Sequence, residues 1–389
     1  MQDPLFSIPM IEKFIGFDTV SRNSNLGLIH FVRDYLQGFG IESILTHDET
    51  GQKANLFATI GPKDKPGIIL SGHTDVVPCE DQTWTSNPFS LAKLDDRVVG
   101  RGVCDMKGFL AIATAFVPIL VARQLTTPIH LAMSFDEEIG CLGVPLLIRE
   151  FKDRGLTQQA CIVGEPSEMG LIRAHKGKIG GHVTVTGLSS HSGVAHLGVN
   201  AVEAAGEAIA CMKKIQRRLR DHGPFNPEFE DPQYTTIQTC MVNGGTAVNI
   251  VAAQCTFDFD IRFLPGENPM DYVKECRNYV ERHIEPEMKA VDPNTGFKWE
   301  FVPGCAALNT TEDDPVMEMA KELSGRNSST CVGFGTEAGH FQDAGIPTFI
   351  CGPGCIDQAH KADEFLTHEQ IALCEKFMWK LIERIGVIA

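Results

Sequence analysis

The sequence predicts an α/β fold: a large domain with a mostly parallel sheet, into which a smaller ferredoxin-like α+β domain is inserted. Three observations lead to this fold class. Short apolar runs alternate with amphipathic helical stretches in the first half of the chain, which is typical of parallel sheets. After residue 177 the pattern changes to the β-α-β-β-α-β order of the ferredoxin-like motif. A chain of 389 residues also exceeds the usual size of one hydrophobic core, so we expect two domains.

The large domain is predicted from unbroken apolar runs, which indicate buried strands, and from apolar residues at helical spacing. It begins with helices at 5–20 and 28–39 and strands at 40–45, 54–60 and 68–75. A helix at 109–122, a strand at 129–135, a helix at 142–154 and a strand at 160–163 follow. After the insertion come a helix at 313–324, strands at 330–334 and 348–351, and a helix at 367–385. We therefore assign residues 1–177 and 296–389 to this domain.

The inserted domain is predicted to span residues 178–295. Its strands are expected at 182–187, 235–242 and 254–263 and its helices at 200–220 and 269–283, and a strand at 297–302 closes the series. Gly177, Gly180 and Gly181 at its start could act as hinges, so we expect the domain to close as a lid.

Composition excludes several classes of protein. Lysine and arginine number 34 against 50 acidic residues, a net charge of −16, so binding to a phosphate backbone is disfavoured. Any anionic substrate would need a local cationic site. The N-terminus shows no signal-peptide pattern, and no apolar stretch reaches the length of a membrane span. The 13 cysteines are scattered without a C-x-x-C pair, which favours reduced thiols. We expect a soluble, cytoplasmic protein.

Acidic and histidine side chains follow several predicted strands at the points where those strands end. They are His73 with Asp75, Glu137 with Glu138, Glu165, His360 and, in a glycine-flanked loop, Asp105. Each has an ordinary alternative, because strand-end acids are often solvated and Asp105 could cap the helix that follows it. Parallel strands, however, end at one edge of a sheet, where α/β proteins bind their ligands. Carboxylates crowded there repel one another unless a cation neutralises them, so the sequence predicts a metal site.

The donor types narrow the choice of metal. Two histidines with aspartate and glutamate, and without cysteine, suit Zn²⁺ or Co²⁺. Five protein ligands are too many for one catalytic zinc that keeps an open position, but they suit two metals that share a bridging carboxylate. Asp105, the only aspartate among the predicted ligands, has the short side chain that suits such a bridge.

Neighbouring side chains are expected to support these ligands. Asp75 lies two residues after His73, so on an extended strand its carboxylate can accept the other ring N–H of that imidazole. Glu137 and Glu138 are adjacent and point in different directions. One of them can therefore bind metal while the other acts as general base toward the attacking water.

The motifs around these residues resemble those of the dinuclear-zinc aminoacylase and carboxypeptidase family of metallopeptidases, over essentially the whole chain. The similar stretches are Ser71–Pro78, Gly100–Gly108, Asp136–Glu138 and Gly164–Pro166. The resemblance implies a phosphorylase/hydrolase-like catalytic domain that holds two divalent metals, Zn²⁺ with Co²⁺ able to substitute. It implies these roles: His73 and Glu165 on one metal, Glu138 and His360 on the other, Asp105 as the bridge, Glu137 as base and acid, and Asp75 orienting His73. It also implies a cis peptide between Asp105 and Met106.

The resemblance also implies a small-molecule N-acyl amino acid as substrate. Four stretches are most similar to the branch that deacetylates N2-acetyl-L-ornithine: Arg173–Gly177, Gly198–Ala201, Gly335–Ala338 and Gln358–His360. Sister activities stay open as alternatives, namely desuccinylation of succinyl-diaminopimelate, hydrolysis of other N-acyl amino acids, and dipeptide cleavage. A binding protein that has lost catalysis would lack Glu137 or a ligand, and the sequence retains all of them.

In the inserted domain the resemblance implies dimerisation and further contacts with the substrate. His191 is similar to the family histidine that reaches the active site of the partner subunit in a homodimer and stabilises the oxyanion. Asn249 and Arg262 are expected to bind the substrate carboxylate, for which arginine supplies a bidentate fork. Glu337, in the large domain, is a candidate for binding a substrate ammonium, with a place near the metals or on the surface as the alternative.

Overall fold

The computed structural model describes residues 5–386, which divide into two compact units. Unit 1 comprises the described residues up to His175, Leu308–Cys331, and those from Thr336 onward. Unit 2 comprises Lys176–Ala307 and Val332–Gly335.

The helices and strands are numbered in chain order. The first part of unit 1 contains α1 (Ile8–Ile15), α2 (Leu26–Gln37), β1 (Ser43–His47), β2 (Ala54–Ile60), β3 (Gly67–His73), β4 (Ala92–Lys93), β5 (Arg97–Val99), α3 (Lys107–Ala115), α4 (Val117–Ala122), β6 (Ile129–Ser134), α5 (Val144–Asp153), β7 (Gln158–Pro166) and β8 (Leu171–His175). Unit 2 contains β9 (Gly177–Thr186), α6 (Ala201–His222), β10 (Thr236–Gly244), β11 (Gln254–Phe263), α7 (Pro269–Tyr279), α8 (Glu285–Val291) and β12 (Gly296–Val302). The chain continues with β13 (Leu308–Asn309), α9 (Pro315–Ser324), β14 (Ser329–Val332), α10 (Ala338–Asp343), β15 (Thr348–Gly352), β16 (Phe365–Thr367) and α11 (His368–Ile385).

Unit 1 is built on a nine-stranded sheet. Its strand order is β1-β2-β6-β3-β7-β15-β8-β13, and β14 pairs with β8. The four central strands, β6, β3, β7 and β15, run parallel to one another. The strands outside them pair antiparallel, with β2 on β6 at one side and β8 on β15 at the other. The predicted parallel sheet is therefore confirmed at the centre, where β3 and β6 are buried along their whole length.

The parallel centre determines where functional side chains can meet. Because the four central strands are parallel, their carboxyl ends lie at one edge of the sheet. His73 is the last residue of β3, and Glu165 is next to last in β7. After β6 the chain turns through Asp136, which adopts a left-handed conformation (φ +54°) that aspartate tolerates better than most residues. The Glu137–Glu138 pair therefore follows directly at the same edge.

Some elements differ from the sequence prediction for identifiable reasons. The helix predicted at 109–122 is divided into α3 and α4, because Pro118 has no N–H to donate to the carbonyl four residues earlier. The helix predicted at 269–283 passes into a π-helical turn at 280–284, just before Pro286 opens α8. Strand β8 is absent from the prediction, because Arg173 and His175 interrupt its apolar pattern although the strand is buried throughout.

Unit 2 is a four-stranded antiparallel sheet with strand order β10-β11-β9-β12. Its elements follow the β-α-β-β-α-β order along the chain. Met212 of α6 and Val273 of α7 are buried in one cluster with Phe257 and Phe259 of β11, so both helices pack on the sheet. Strand β12 pairs with β9 inside this sheet, whereas the predicted inserted domain ends at residue 295, just before that strand.

Candidate active site

A cluster of histidines and carboxylates lies at the carboxyl edge of the parallel strands in unit 1. The Nε2 atom of His73 is 3.0 Å from Oδ1 of Asp105. The Nε2 atom of His360 is 3.3 Å from Oδ2 of the same carboxylate. Each oxygen of Asp105 therefore faces a different imidazole, which is the arrangement that a carboxylate bridging two metals requires.

Two glutamates stand beside the two imidazoles. Oε1 of Glu165 lies 3.7 Å from Nε2 of His73, and Oε2 of Glu138 lies 3.1 Å from Nε2 of His360. The side chains form two groups, and within each group the possible ligand atoms all lie within 4.8 Å of one another. One group is His73 with Glu137 and Glu165, and the other is His73 with Asp105 and Glu138. The cluster thus offers donors for two neighbouring cations.

Burial disfavours the ionised form of the three glutamates in this cluster. Burial raises the pKa of Glu165 well above its ordinary value, and the nearby Asp105 adds to the rise. Burial likewise raises the pKa of Glu137 well above its ordinary value and also raises the pKa of Glu138. A cation at this place would offset both the cost of burying the charged carboxylates and their mutual repulsion. The donor set therefore fits a pair of divalent metals of the zinc type.

The histidines respond to the same carboxylates. Hydrogen bonds with Asp105 and Glu138 raise the pKa of His360 to about 10. Burial alone would lower the pKa of His73, but the hydrogen bond to Asp105 and the charge of Glu165 raise it well above the ordinary value. These carboxylates therefore hold both rings as cations, and divalent metals can take the place of the bound protons on the same nitrogen and oxygen atoms.

Asp75 occupies a different place from the one predicted for its carboxylate. Nδ1 of His73 donates to the backbone carbonyl of Asp75 at 2.9 Å, whereas the nearer carboxylate oxygen is 3.6 Å away. The prediction assumes an extended strand through Asp75, but β3 ends at His73. The Asp75 carboxylate accepts the backbone N–H groups of Glu137 at 3.0 Å and Glu138 at 3.3 Å, and the Ser21 hydroxyl at 2.7 Å. Asp75 therefore orients His73 through its backbone and the two glutamates through its side chain.

A second side chain, Lys53, contacts the Asp136–Glu138 segment and is not predicted from the sequence. Nζ of Lys53 lies 2.5 and 2.6 Å from the two carboxylate oxygens of Asp136, the residue before Glu137. The lysine comes 83 residues earlier in the chain, and no local pattern marks it as a partner.

Glu337 is enclosed, which corrects its predicted contact with a substrate ammonium. Its side chain is 0% exposed. Its two oxygens accept the hydroxyls of Ser71 and Ser134, each at 2.6 Å. These serines lie on β3 and β6, so Glu337 packs beneath the sheet edge as a buried acceptor and presents no oxygen to a ligand.

The remaining predicted residues belong to unit 2. His191 is exposed and caps a short 3₁₀ helix, where its Nδ1 accepts the N–H of Gly193 at 3.0 Å. Asn249 is also exposed, and its carbonyl accepts the N–H of Ser192, so the structure brings the segments of His191 and Asn249 together. Arg262 lies on β11, where its Nε donates to Asp260 at 2.9 Å.

The Asp105 loop has one feature that the resemblance implies and one that the sequence analysis misses. The Asp105–Met106 peptide is cis, as expected. The buried carboxylate of Glu364 accepts hydrogen bonds from the backbone of this loop, including the N–H of Asp105 at 3.0 Å. In the sequence Glu364 follows Asp363 and looks like part of an acidic loop.

Comparison with known proteins places this site in a family context. The family model for peptidase family M20/M25/M40 matches residues 69–384. The chain belongs to this family. The M20/M25/M40 match spans His73, Asp105, Glu137, Glu138, Glu165 and His360.

Curated relatives cover nearly the whole chain. The acetylornithine deacetylase of Proteus mirabilis is 34% identical over 371 residues, which is 94% of this chain and 92% of the relative. The acetylornithine deacetylase of Pasteurella multocida is 32% identical over 365 residues, 92% of this chain and 91% of the relative. With the family match, these relatives show that the chain is a hydrolase acting on amide bonds.

Solved structures agree with the fold. An M20 metallo-carboxypeptidase from Sulfolobus solfataricus has a TM-score of 0.75 at 16% identity, with 97% of this chain and 98% of that one covered. An aminopeptidase from Bacillus cereus has a TM-score of 0.73 at 20% identity, with 98% of both chains covered. No helix among the described residues has both the length and the apolar character needed to cross a membrane.

Proposed function

We propose that this M20/M25/M40 chain is a dinuclear-metal deacetylase that hydrolyses N2-acetyl-L-ornithine to L-ornithine and acetate, a step in arginine biosynthesis. The observation that carries the proposal is the Asp105 carboxylate, whose two oxygens face the imidazoles of His73 and His360. The substrate is supported by the relatives named acetylornithine deacetylase, which match more than nine tenths of this chain.

In this proposal two divalent metals are held by the clustered donors. His73 and Glu165 would hold one metal, Glu138 and His360 the other, and Asp105 would bridge them. The donor chemistry favours Zn²⁺, with Co²⁺ able to substitute. A structure from Bacillus subtilis, described as a dinuclear metal binding peptidase of the M20 family, has a TM-score of 0.59 to this chain with 97% of it covered.

The reaction adds water across the amide bond of the acetyl group. The metals supply Lewis-acid activation of the amide carbonyl and of the attacking water. Glu137 takes one proton from that water while the water oxygen bonds to the acyl carbon. Glu137 then delivers the proton to the amine nitrogen as the C–N bond breaks.

Unit 2 supplies the proposed contacts with the rest of the substrate. Since Nδ1 of His191 accepts a hydrogen bond, the neutral ring carries its proton on Nε2, which can donate to a developing oxyanion. We infer that His191 serves the site of a partner subunit in a homodimer, and that Asn249 and Arg262 bind the substrate carboxylate. The enzyme would work in the cytoplasm, where its substrate would be a free small molecule.

Turnover of three substrates under identical conditions tests the proposed function. Acetylornithine, succinyl-diaminopimelate and acetylmethionine share the scissile amide; the first differs from the second in acyl group and side chain, and from the third in side chain alone. The proposal expects the highest kcat/KM for acetylornithine, by at least about tenfold, which corresponds to about 1.4 kcal/mol of transition-state binding. A clear preference for either of the other two would overturn the named substrate.

A further inference from the structure

Glu364 is a buried carboxylate outside the predicted ligand set. Its side chain is 1% exposed. Oε1 accepts the backbone N–H groups of Cys104 at 2.8 Å and Asp105 at 3.0 Å. Oε2 accepts the N–H of Gly102 at 3.0 Å and Nη1 of Arg101 at 2.7 Å. One carboxylate thus accepts four donors from four residues of a single short loop.

The two chain segments that Glu364 joins each carry a predicted metal ligand. The loop of its hydrogen-bond donors ends at Asp105, the predicted bridge. Glu364 itself lies four residues after His360, and its own backbone carbonyl accepts the N–H of Gly100 at 2.9 Å. The spacing between Asp105 and His360 therefore depends on the contact between Glu364 and this loop.

Arg101 extends the contact back to His360. Its Nη2 donates to Oε1 of Gln82 at 2.5 Å, and Nε2 of Gln82 donates to the backbone carbonyl of His360 at 2.8 Å. The guanidinium also lies 5.0 Å from the ring centre of Trp84. A series of hydrogen bonds thus runs from Glu364 through Arg101 and Gln82 to His360, whose backbone is in the left-handed region at φ +62°.

We propose that Glu364 is a positioning residue that, with Arg101 and Gln82, sets the distance between Asp105 and His360 for metal binding. This inference rests on the metal site of the proposed function. Loss of one partner of the buried Glu364–Arg101 ion pair also destabilises a fold, so metal affinity and stability have to be measured separately. Residues that orient metal ligands typically contribute about 10- to 100-fold to metal affinity.

Substitution of Glu364 by glutamine tests the proposal. The amide NH₂ of E364Q would replace an oxygen that accepts two donors, so two contacts to the loop are lost while the side-chain size is kept. Glu375 offers a matched control, because this buried carboxylate accepts the backbone N–H groups of Leu5 and Ser7 in the same unit. Co²⁺ is titrated calorimetrically into the metal-free forms of wild type, E364Q and E375Q, and thermal unfolding of each metal-free form is recorded alongside.

The expected result is Co²⁺ binding about 10- to 100-fold weaker in E364Q than in wild type. E375Q should bind Co²⁺ within about twofold of wild type, even if its unfolding midpoint falls as much as that of E364Q. Equal Co²⁺ affinity in E364Q and wild type would overturn the inference, and so would an equal loss in E375Q. If E364Q does not fold, Gln82→Ala decides, because it removes the contacts to Arg101 and His360 and leaves the hydrogen bonds of Glu364 in place. Weaker Co²⁺ binding by Q82A supports the inference and unchanged binding overturns it. Failure of the wild type to bind Co²⁺ would overturn the metal site itself.

Discussion

Asp105 is the residue on which the account of the site depends most directly. Its oxygens lie 3.0 Å from His73 and 3.3 Å from His360, and hydrogen bonds from these two rings keep its pKa low despite burial, which alone would raise it. The carboxylate therefore stays ionised in a place where the neighbouring Glu165 and Glu138 have raised pKa values. An ionised carboxylate between two imidazoles is the donor that a metal bridge needs.

Sequence patterns identify this cluster but not the side chains that support it. His73, Glu137 and Glu165 can be found because each follows or ends an apolar strand. The contacts of Glu337 to Ser71 and Ser134 join residues 266 and 203 positions apart, and those of Glu364 to the Asp105 loop span 259 to 263. Local periodicity carries no information about such partners. A strand-end acid therefore looks the same in the sequence whether it faces a ligand or is buried.

His130 gives the protein a predictable sensitivity to acid. Burial lowers its pKa to about 4, so it is neutral in the folded chain but binds a proton below about 6.5 in the unfolded chain. The unfolded state then binds more protons, so stability falls as pH drops from 6.5 toward 4, by roughly 3 kcal/mol at most for this group. His130→Gln should unfold at a temperature that falls less between pH 7 and pH 5 than in wild type.

The matched control for His130 is the exposed His47, in β1. His47→Gln should keep the wild-type dependence of the unfolding midpoint on pH. An unchanged slope in the His130 variant would mean that other groups account for the acid sensitivity.

At the scale of elements, the four parallel strands assemble the site by ending at one edge. The sequence predicts β2, β3, β6 and β15 closely, because most of their residues are apolar. It misses β8, where polar residues are buried by their tertiary contacts. It also merges α3 with α4, although Pro118 marks the break. Hydrophobic pattern thus locates the central elements, and proline chemistry and buried polar residues account for the errors.

Close packing between β7 and α3 gives a prediction at this scale. A Cβ atom on Gly164, the residue before Glu165, would lie 2.0 Å from ring atoms of Phe109, whose side chain is buried. Gly164→Ala should therefore strain the interior by about 1–3 kcal/mol and lower the thermal unfolding midpoint.

Gly206 in α6 is the opposite case, because a Cβ there meets nothing within 4 Å. Gly206→Ala should stabilise the helix by about 0.5–1 kcal/mol and leave the midpoint equal or higher. Unfolding of Gly164→Ala at the wild-type temperature would contradict the close packing of β7 against α3.

At the scale of the whole molecule, the sequence predicts the order of the two units but not their limits. The compact units change at residues 175/176 and 307/308, and Val332–Gly335 returns to unit 2. The predicted end of the inserted domain, at residue 295, falls at the turn before β12. In a sequence, the residues of such a turn look like those of a domain boundary. Pairing of β12 with β9 can be recognised only in three dimensions.

Metal binding should stabilise the folded chain as a whole. A metal that binds only the native state at 100 times its Kd adds about 2.7 kcal/mol to stability. Adding Zn²⁺ to chelator-treated protein should therefore raise the thermal unfolding midpoint and restore turnover. His73→Ala should lose most of this rise, because it removes a nitrogen donor from the cluster. His182→Ala, in unit 2 beside Asp258, should keep it. An equal rise in the His73 variant would place the stabilising metal elsewhere.

The most direct test of the central claim is to measure metal content and acetylornithine turnover on one preparation of Glu137→Gln. Glutamine keeps the size of the side chain but cannot carry the proton. The account predicts two metals per chain, as in wild type, and turnover lower by about 10²–10⁴-fold. Turnover near the wild-type rate with both metals bound would contradict it.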